Sequence, residues 1–298
     1  MATTYSYTDA AIRESLLDIV TNINPEIDYL YTGLQKSTAN APMHQWLTDT
    51  LAAVGNNAQI EGADPSYADR TNPARSINWT QIVRKDVLVS GTDRASNTAG
   101  FKDRFAYEVQ KATLEWRRDA ELAILRGSLA TGSGSAARQM AGIKAQITTL
   151  ATSQSGVSLS ETTLNTYLQN AWAQGGEVDL ILVGGTLKRR IDGFNANSNN
   201  TRFVQAADKK IVNTVQTYMS SFGTHDLVLH RHVDISGDVN STIYGLQRDK
   251  WAVAHLAGRE PELVKPAVTG DATKAFVLGE LTVEGRAQNS SFYAERHL

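Results

Sequence analysis

The stretch that decides the fold is residues 100–129, GFKDRFAYEVQKATLEWRRDAELAILRGSL. It holds no proline, and its only interior glycine is Gly127, near the end. Phe101, Phe105, Val109, Ala112, Trp116, Ala120 and Ala123 recur at spacings of three and four, so they share one stripe of a 3.6-residue helix. Lys102, Asp103, Glu108, Lys111, Glu115, Arg118, Asp119 and Glu121 lie mainly off that stripe. Arg117 and Glu121 read as a surface i,i+4 ion pair and Glu115 with Asp119 as a like-charge pair, each worth only tenths of a kcal/mol. At about 1.5 Å per residue the helix reaches roughly 40 Å, well past an average globular helix. A helix of that length crosses a large domain or serves as a spine for other elements. Gly127-Ser128 and then Gly132-Ser133-Gly134-Ser135 end it.

With 298 residues, 41% hydrophobic and 20% charged, the chain is long enough to bury a sizeable core in one large domain or two. The formal net charge of −2 argues against a protein that coats duplex nucleic acid. No run approaches the ~18 apolar residues of a membrane span, and MATTYSYTDAAIRE is not a secretory signal. The absence of cysteine excludes disulfides, thiol catalysis and cysteine-ligated zinc, and suits a reducing cytoplasm.

Working outward from the spine, Thr8 to Ile23 predicts a short amphipathic helix with Ile12, Leu16, Ile19, Val20 and Ile23 on one face. Asn24-Pro25 stops it, and residues 26–43 read as an extended arm. The apolar stripe suits a neighbouring molecule or its own domain equally. His44 to Leu51 and Ile77 to Ser90 read as two strands of a ribbon. Between them lie 25 residues of loop composition, AAVGNNAQIEGADPSYADRTNPARS. A loop so long is a working arm or a lid, and a lone ribbon needs cover. Trp46, Tyr67 and Trp79 would meet that cover, on a partner or on the same molecule.

Beyond the spine, Ser158 to Gly175 predicts a helix with a Ser158/Glu161 capping box. Val178 to Val183 reads as a buried strand, and Gly184-Gly185-Thr186 opens a second helix with Leu187, Ile191 and Phe194 inward. Residues 195–201 are a polar loop, and Ile211–Met219 and Asp226–Ile235 read as strands. From Ser241 the pattern turns almost wholly to β, and these strands need the spine's stripe to pack on. The expectation is a discontinuous α+β domain, spine plus C-terminal strands, with an α/β unit inserted.

Catalytic readings are weak. His230, His232 and Asp234 would share one face of a strand and could meet a metal, which leaves a metal-dependent hydrolase as a minor alternative. Gly184-Gly185-Thr186 lacks the lysine of a P-loop and the third glycine of a dinucleotide fingerprint. Glu280 and Glu284 read as exposed carboxylates of a solvated strand face. No catalytic, cofactor-binding or metal-ligating set is assigned, and no cofactor is expected.

Several strings are similar to one major head protein family of tailed phages with the Hong Kong 97-type fold. These are His44-Gln45-Trp46-Leu47-Thr48-Asp49-Thr50-Leu51, Glu61-Gly62-Ala63, Asn78-Trp79-Thr80-Gln81-Ile82 and Val89-Ser90-Gly91-Thr92. Glu115, Arg118-Asp119 and Glu121 fit the same pattern, with Arg138, Gly142-Ile143 and Leu278-Gly279-Glu280-Leu281-Thr282-Val283. The resemblance implies an N-terminal arm (1–43), an extended hairpin loop (44–92), a peripheral domain (93–150 and 241–298, with spine 100–129) and an axial domain (151–240). It implies a non-enzymatic shell subunit of the virion, assembled in the host cytoplasm. Hexamers and pentamers of many copies would enclose double-stranded DNA without sequence-specific binding and without a membrane. A separate scaffolding protein and a portal are expected partners. Trp46, Tyr67, Trp79, Ile12 and Leu16 are the inter-subunit contact candidates. Some relatives cross-link a lysine to an asparagine, but nothing assigns Lys85 that role. An encapsulin-like nanocompartment shell is the alternative within the same fold.

Overall fold

The computed structural model describes residues 28–65, 67, 69–95, 103–197, 204–205, 210–211, 216–234, 241–267 and 270–297. In chain order the elements begin with α1 (Tyr29–Gly33), β1 (Gln35–Ala39), β2 (Met43–Thr48), β3 (Ala74–Trp79), β4 (Gln81–Ser90), α2 (Gly91–Ala95) and the long α3 (Arg104–Arg126). Then come α4 (Ile143–Gln146), β5 (Ala151–Ser153), α5 (Glu161–Ala173), β6 (Leu180–Val183), α6 (Gly185–Asn197), β7 (Val204–Gln205) and β8 (Lys210–Ile211). The last are β9 (Thr217–Ser220), β10 (Gly223–Leu229), β11 (Ser241–Leu246), β12 (Trp251–Leu256), β13 (Glu262–Val264), β14 (Ala272–Gly285) and β15 (Phe292–His297).

The spine is α3. Asp103 caps it, its side chain accepting the Phe105 N–H at 3.0 Å. Its buried residues include Phe105, Ala112, Trp116 and Ala120 from the expected stripe, with Ile124 and Leu125 extending it. The helix closes at Gly127, where the returning chain passes close: Gly142 N–H donates to Gly127 C=O at 2.8 Å. A Cβ on either glycine would collide with backbone atoms.

The spine lies on a five-stranded sheet of β1, β12, β14, β13 and β4. β14 is its longest strand at fourteen residues. It pairs with β4 from Ala272↔Ser90 to Leu281↔Gln81 and with β12 from Trp251↔Gly285 to His255↔Leu281. Trp116 packs in one core with Val83, Val87, Trp251, Val277, Leu281 and Val283, and its indole N–H donates to Val83 C=O at 2.8 Å. A second sheet runs β5-β15-β11-β6-β10-β9. Leu180 and Leu182 of β6 belong to the spine's core, whereas Ile181 and Val183 pack with Leu164, Leu168, Leu187 and Ile191 from α5 and α6. The period of two sends successive side chains to opposite faces, and both faces are covered, as the apolar run at 178–183 requires.

Several expectations change. The strand expected over Ile77–Ser90 is two, broken at buried Thr80: its first part pairs with β2, and its second joins β14 in the spine sheet. The C-terminal strands do not all sit on the spine sheet. β11 and β15 join the six-stranded sheet, because STIYGL is buried along its whole length and needs strands on both edges. Residues 35–39, expected in an extended arm, pair in parallel with β12 from Gln35↔Ala252 to Ala39↔Leu256. Ser160, not Ser158, caps α5, accepting the Thr163 N–H at 3.1 Å.

Candidate assembly interface

β2 and β3 form a hairpin in register from Met43↔Trp79 to Thr48↔Ala74. Between them every described residue from 49 to 73 is exposed. Leu51, Val54, Ile60 and Tyr67 are among these, Tyr67 at 93% and Val54 at 103% relative exposure. Apolar side chains gathered on one thin projection are costly to leave in water. Burying each would contribute roughly 1.5–3 kcal/mol.

The root of the hairpin is held by polar groups that face it from β14. Asn78 is fully buried. Its amide N–H groups donate to Ala141 C=O (2.9 Å) and Val283 C=O (2.8 Å), while its carbonyl accepts from Ala141 N–H (2.8 Å). Trp46 Nε1–H donates to Gly285 C=O at 3.1 Å. Glu280 and Glu284 sit two residues either side of Thr282 on one face of the strand, and both are buried rather than solvated as expected. Glu280 accepts from Thr80 Oγ1 at 2.5 Å, from Arg138 and from Arg259 Nε at 2.9 Å. Glu284 pairs with His44 Nε2 at 2.7 Å and Arg286 Nη2 at 2.9 Å. Burial pushes the Glu284 carboxyl up, but hydrogen bonds from Ser37, His44 and Arg286 outweigh it and hold it below the usual range. A buried carboxylate is tolerated when it is paired in this way. The hairpin is therefore anchored firmly at one end and bare at the other.

The five contact candidates fall in different settings. Tyr67 is on the bare loop. Trp46 and Trp79 are half-buried at the root, Trp46 tied to β14 of the spine sheet in its own chain. Ile12 and Leu16 lie outside the described residues. Lys85 is on β4, its ammonium 2.7 Å from Asp119 of the spine.

The sequence also concealed Glu121. Expected on the polar face and paired with Arg117, it is fully buried, and Arg117 instead pairs with Asp28 at 3.4 Å. Glu121 accepts the Leu30 and Tyr31 backbone N–H groups at 2.8 and 2.7 Å and faces His230 Nε2 at 2.8 Å. Ile124 and Leu125, three and four residues on, are both buried, and that flank was the signal available.

The His230–Asp234 string is not a strand, since β10 ends at Leu229. His230 turns to Glu121, and no group of three or more potential ligands among the described residues could hold a metal. Burial first, and then the neighbouring His230, lower the His232 imidazole below its usual value. The turn at Gly184 is closed by the protein itself, because a Cβ there would overlap the Asp234 carboxylate.

Solved structures of similar fold include a phage capsid, a GTA capsid and an encapsulin. The chain superposes on the capsid protein of a native GTA particle with a TM-score of 0.71, at 10% identity and 100% coverage of both chains. It superposes on the cyanophage A-1(L) capsid protein with a TM-score of 0.67, at 11% identity and 99% coverage of both. For the SrpI encapsulin of Synechococcus elongatus the TM-score is 0.58, at 10% identity over 100% of this chain and 96% of that one. At these identities the likeness defines the fold alone: a mixed α+β fold of the Hong Kong 97 type. The chain matches the SU10 major capsid protein family over residues 1–294, and it belongs to that family of non-enzymatic structural proteins. It is also 30% identical to the major capsid protein of Escherichia phage Phieco32 over 127 residues, 42% of this chain and 36% of that protein. The matched segment thus spans about a third of that relative's length.

Proposed function

We propose that the protein is the principal subunit of a tailed-phage head, closing in many copies into an icosahedral shell around double-stranded DNA. The observation that carries this reading is the hairpin: pinned at its root by Asn78, Glu280 and Glu284, and exposed at every described residue from 49 to 73. A rigid root with an apolar tip is the design of an arm that completes its burial on a sister copy. In a head-to-tail contact of this kind, the donor patch of one copy meets a different patch on the next, and rings close if the rotation allows. Ile82 and Leu88 on the outward face of β4 are exposed and offer apolar surface of the matching kind.

In this reading the N-terminal arm ahead of β1 and the β2–β3 hairpin with its loop act between subunits, the spine and its five-stranded sheet form the peripheral layer, and the six-stranded sheet with α5 and α6 forms the axial layer around five- and six-fold positions. Pentamers and hexamers assemble in the host cytoplasm on a separate scaffolding protein, with a portal at one vertex. The formal charge of −2 supports a container that encloses nucleic acid without gripping it. A nanocompartment shell shares the fold, but the family match along nearly the whole chain favours the phage head.

Electron microscopy of the expressed full-length chain, with and without a candidate scaffold, tests the proposal. Shells or capsomer rings are expected; a population of discrete monomers under every condition would refute it. Deleting Gly55–Asn72 leaves β2 and β3 intact and is expected to give a folded subunit with few closed shells. Normal shells from that variant would show that the loop is not an inter-subunit arm.

A further inference from the structure

Three elements far apart in sequence meet at one buried carboxylate. Glu121 Oε1 takes the Leu30 N–H and faces His230 Nε2, and Oε2 takes the Tyr31 N–H. Among the described residues no lysine or arginine forms an ion pair with it. The carboxylate is held by these three hydrogen bonds, with Lys36 adding only a longer-range attraction, so the loss of any one leaves it under-solvated.

The proton on His230 is fixed by its other nitrogen. Nδ1 faces the backbone N–H of His232 at 3.3 Å and must accept, so Nε2 carries the hydrogen donated to Glu121. His230 follows β10 directly, and its own N–H continues the pairing with β6 by donating to Val183 C=O at 2.9 Å. The imidazole is thus an extension of the six-stranded sheet. On the other side, α1 has five residues and cannot persist by itself. Asp28 gives its amides no side-chain cap; Glu121 binds the Leu30 and Tyr31 amides instead. The setting of α1 depends on Glu121, and the orientation of Glu121 depends on His230.

We propose that Glu121 is a positioning residue that couples the root of the N-terminal arm to the six-stranded sheet through His230. A shift of the β10 exit away from the spine removes one bond from Oε1, and the carboxylate then releases its hold on α1. A subunit whose axial layer tilts to fit a different neighbour loosens its arm at the same time. This consequence for assembly rests on the shell reading above, whereas the coupling itself is a property of the single subunit.

The test is amide hydrogen exchange on unassembled full-length protein, comparing residues 28–34 with α5 as an internal reference. His230→Gln keeps a donor near the Nε2 position, while His230→Met fills similar volume and donates nothing. The expected result is that His230→Met speeds exchange across residues 28–34 by about tenfold or more, the factor for losing one hydrogen bond to a charged group. His230→Gln stays close to the native rate, and α5 is unchanged in both. Equal rates in the two variants, or acceleration of α5 to the same degree, would overturn the coupling without touching the shell reading.

Discussion

Asn78 uses both ends of its amide, donating to Ala141 and Val283 and accepting from Ala141 in a fully buried position. Asn78→Ala leaves the Ala141 N–H without its acceptor, while the Ala141 and Val283 carbonyls keep the Gln146 amide as donor, and unfolding in urea is expected to show a loss of roughly 1–3 kcal/mol. A midpoint equal to that of the native protein would mean that the root is held by something else. Acid sensitivity belongs to this scale as well. Burial lowers the imidazoles of His225, His232, His255 and His297 from their ordinary value of 6.5. The unfolded chain therefore binds more protons near that pH, so stability is full above about 6.5 and falls as the pH drops below it. Glu284 adds a second loss below its ordinary value of 4.5, as the pH falls through its depressed folded value. Thermal melts between pH 7.5 and 4 are expected to show a Tm falling steadily below pH 6.5; a flat profile would contradict these assignments. None of the buried polar residues was legible in the sequence. Glu121 and its partners are 91 and 109 residues apart, and a carboxylate beside an apolar stripe looks like surface charge until its partners are placed.

At the scale of elements the spine was the most legible feature, because a helix period over twenty-three residues leaves little alternative. Trp116 is its central contact, buried against both β4 and β14. Trp116→Ala is expected to cost about 3–5 kcal/mol in equilibrium unfolding, and a loss below 1 kcal/mol would show that the spine is not the core of its sheet. The paired strands of the hairpin were legible to within a few residues, but its allegiance was not. Alternation from Ile77 to Ser90 cannot reveal that the chain changes sheets at Thr80, since both halves keep the same period of two. The same limit hid the membership of β11 and β15. Strand identity is local, whereas strand neighbours depend on contacts made about 50 to 200 residues away. Replacing Leu51, Val54, Ile60 and Tyr67 together by serine is expected to leave the subunit's melting temperature within about 2 °C while sharply reducing shell yield, because in the single subunit these side chains are already in water. A matching fall in melting temperature would place the loop's role inside its own subunit.

For the whole molecule, the physical logic is an uneven distribution of cover. The spine, its sheet and the six-stranded sheet satisfy one another with buried apolar faces and paired carboxylates. The described residues of the loop between β2 and β3 are exposed throughout, with no strand or helix among the described residues covering them. Membership of a capsid family and this exposed apolar surface both support the proposal that the chain completes its burial through copies of itself. The most direct measurement is a cryo-EM reconstruction of assembled particles at a resolution that traces residues 49–73. The account predicts that Leu51, Val54, Ile60 and Tyr67 lie against a neighbouring subunit and are largely buried there. A reconstruction in which this loop folds back on its own subunit, or stays in solvent with no neighbour in contact, would contradict it.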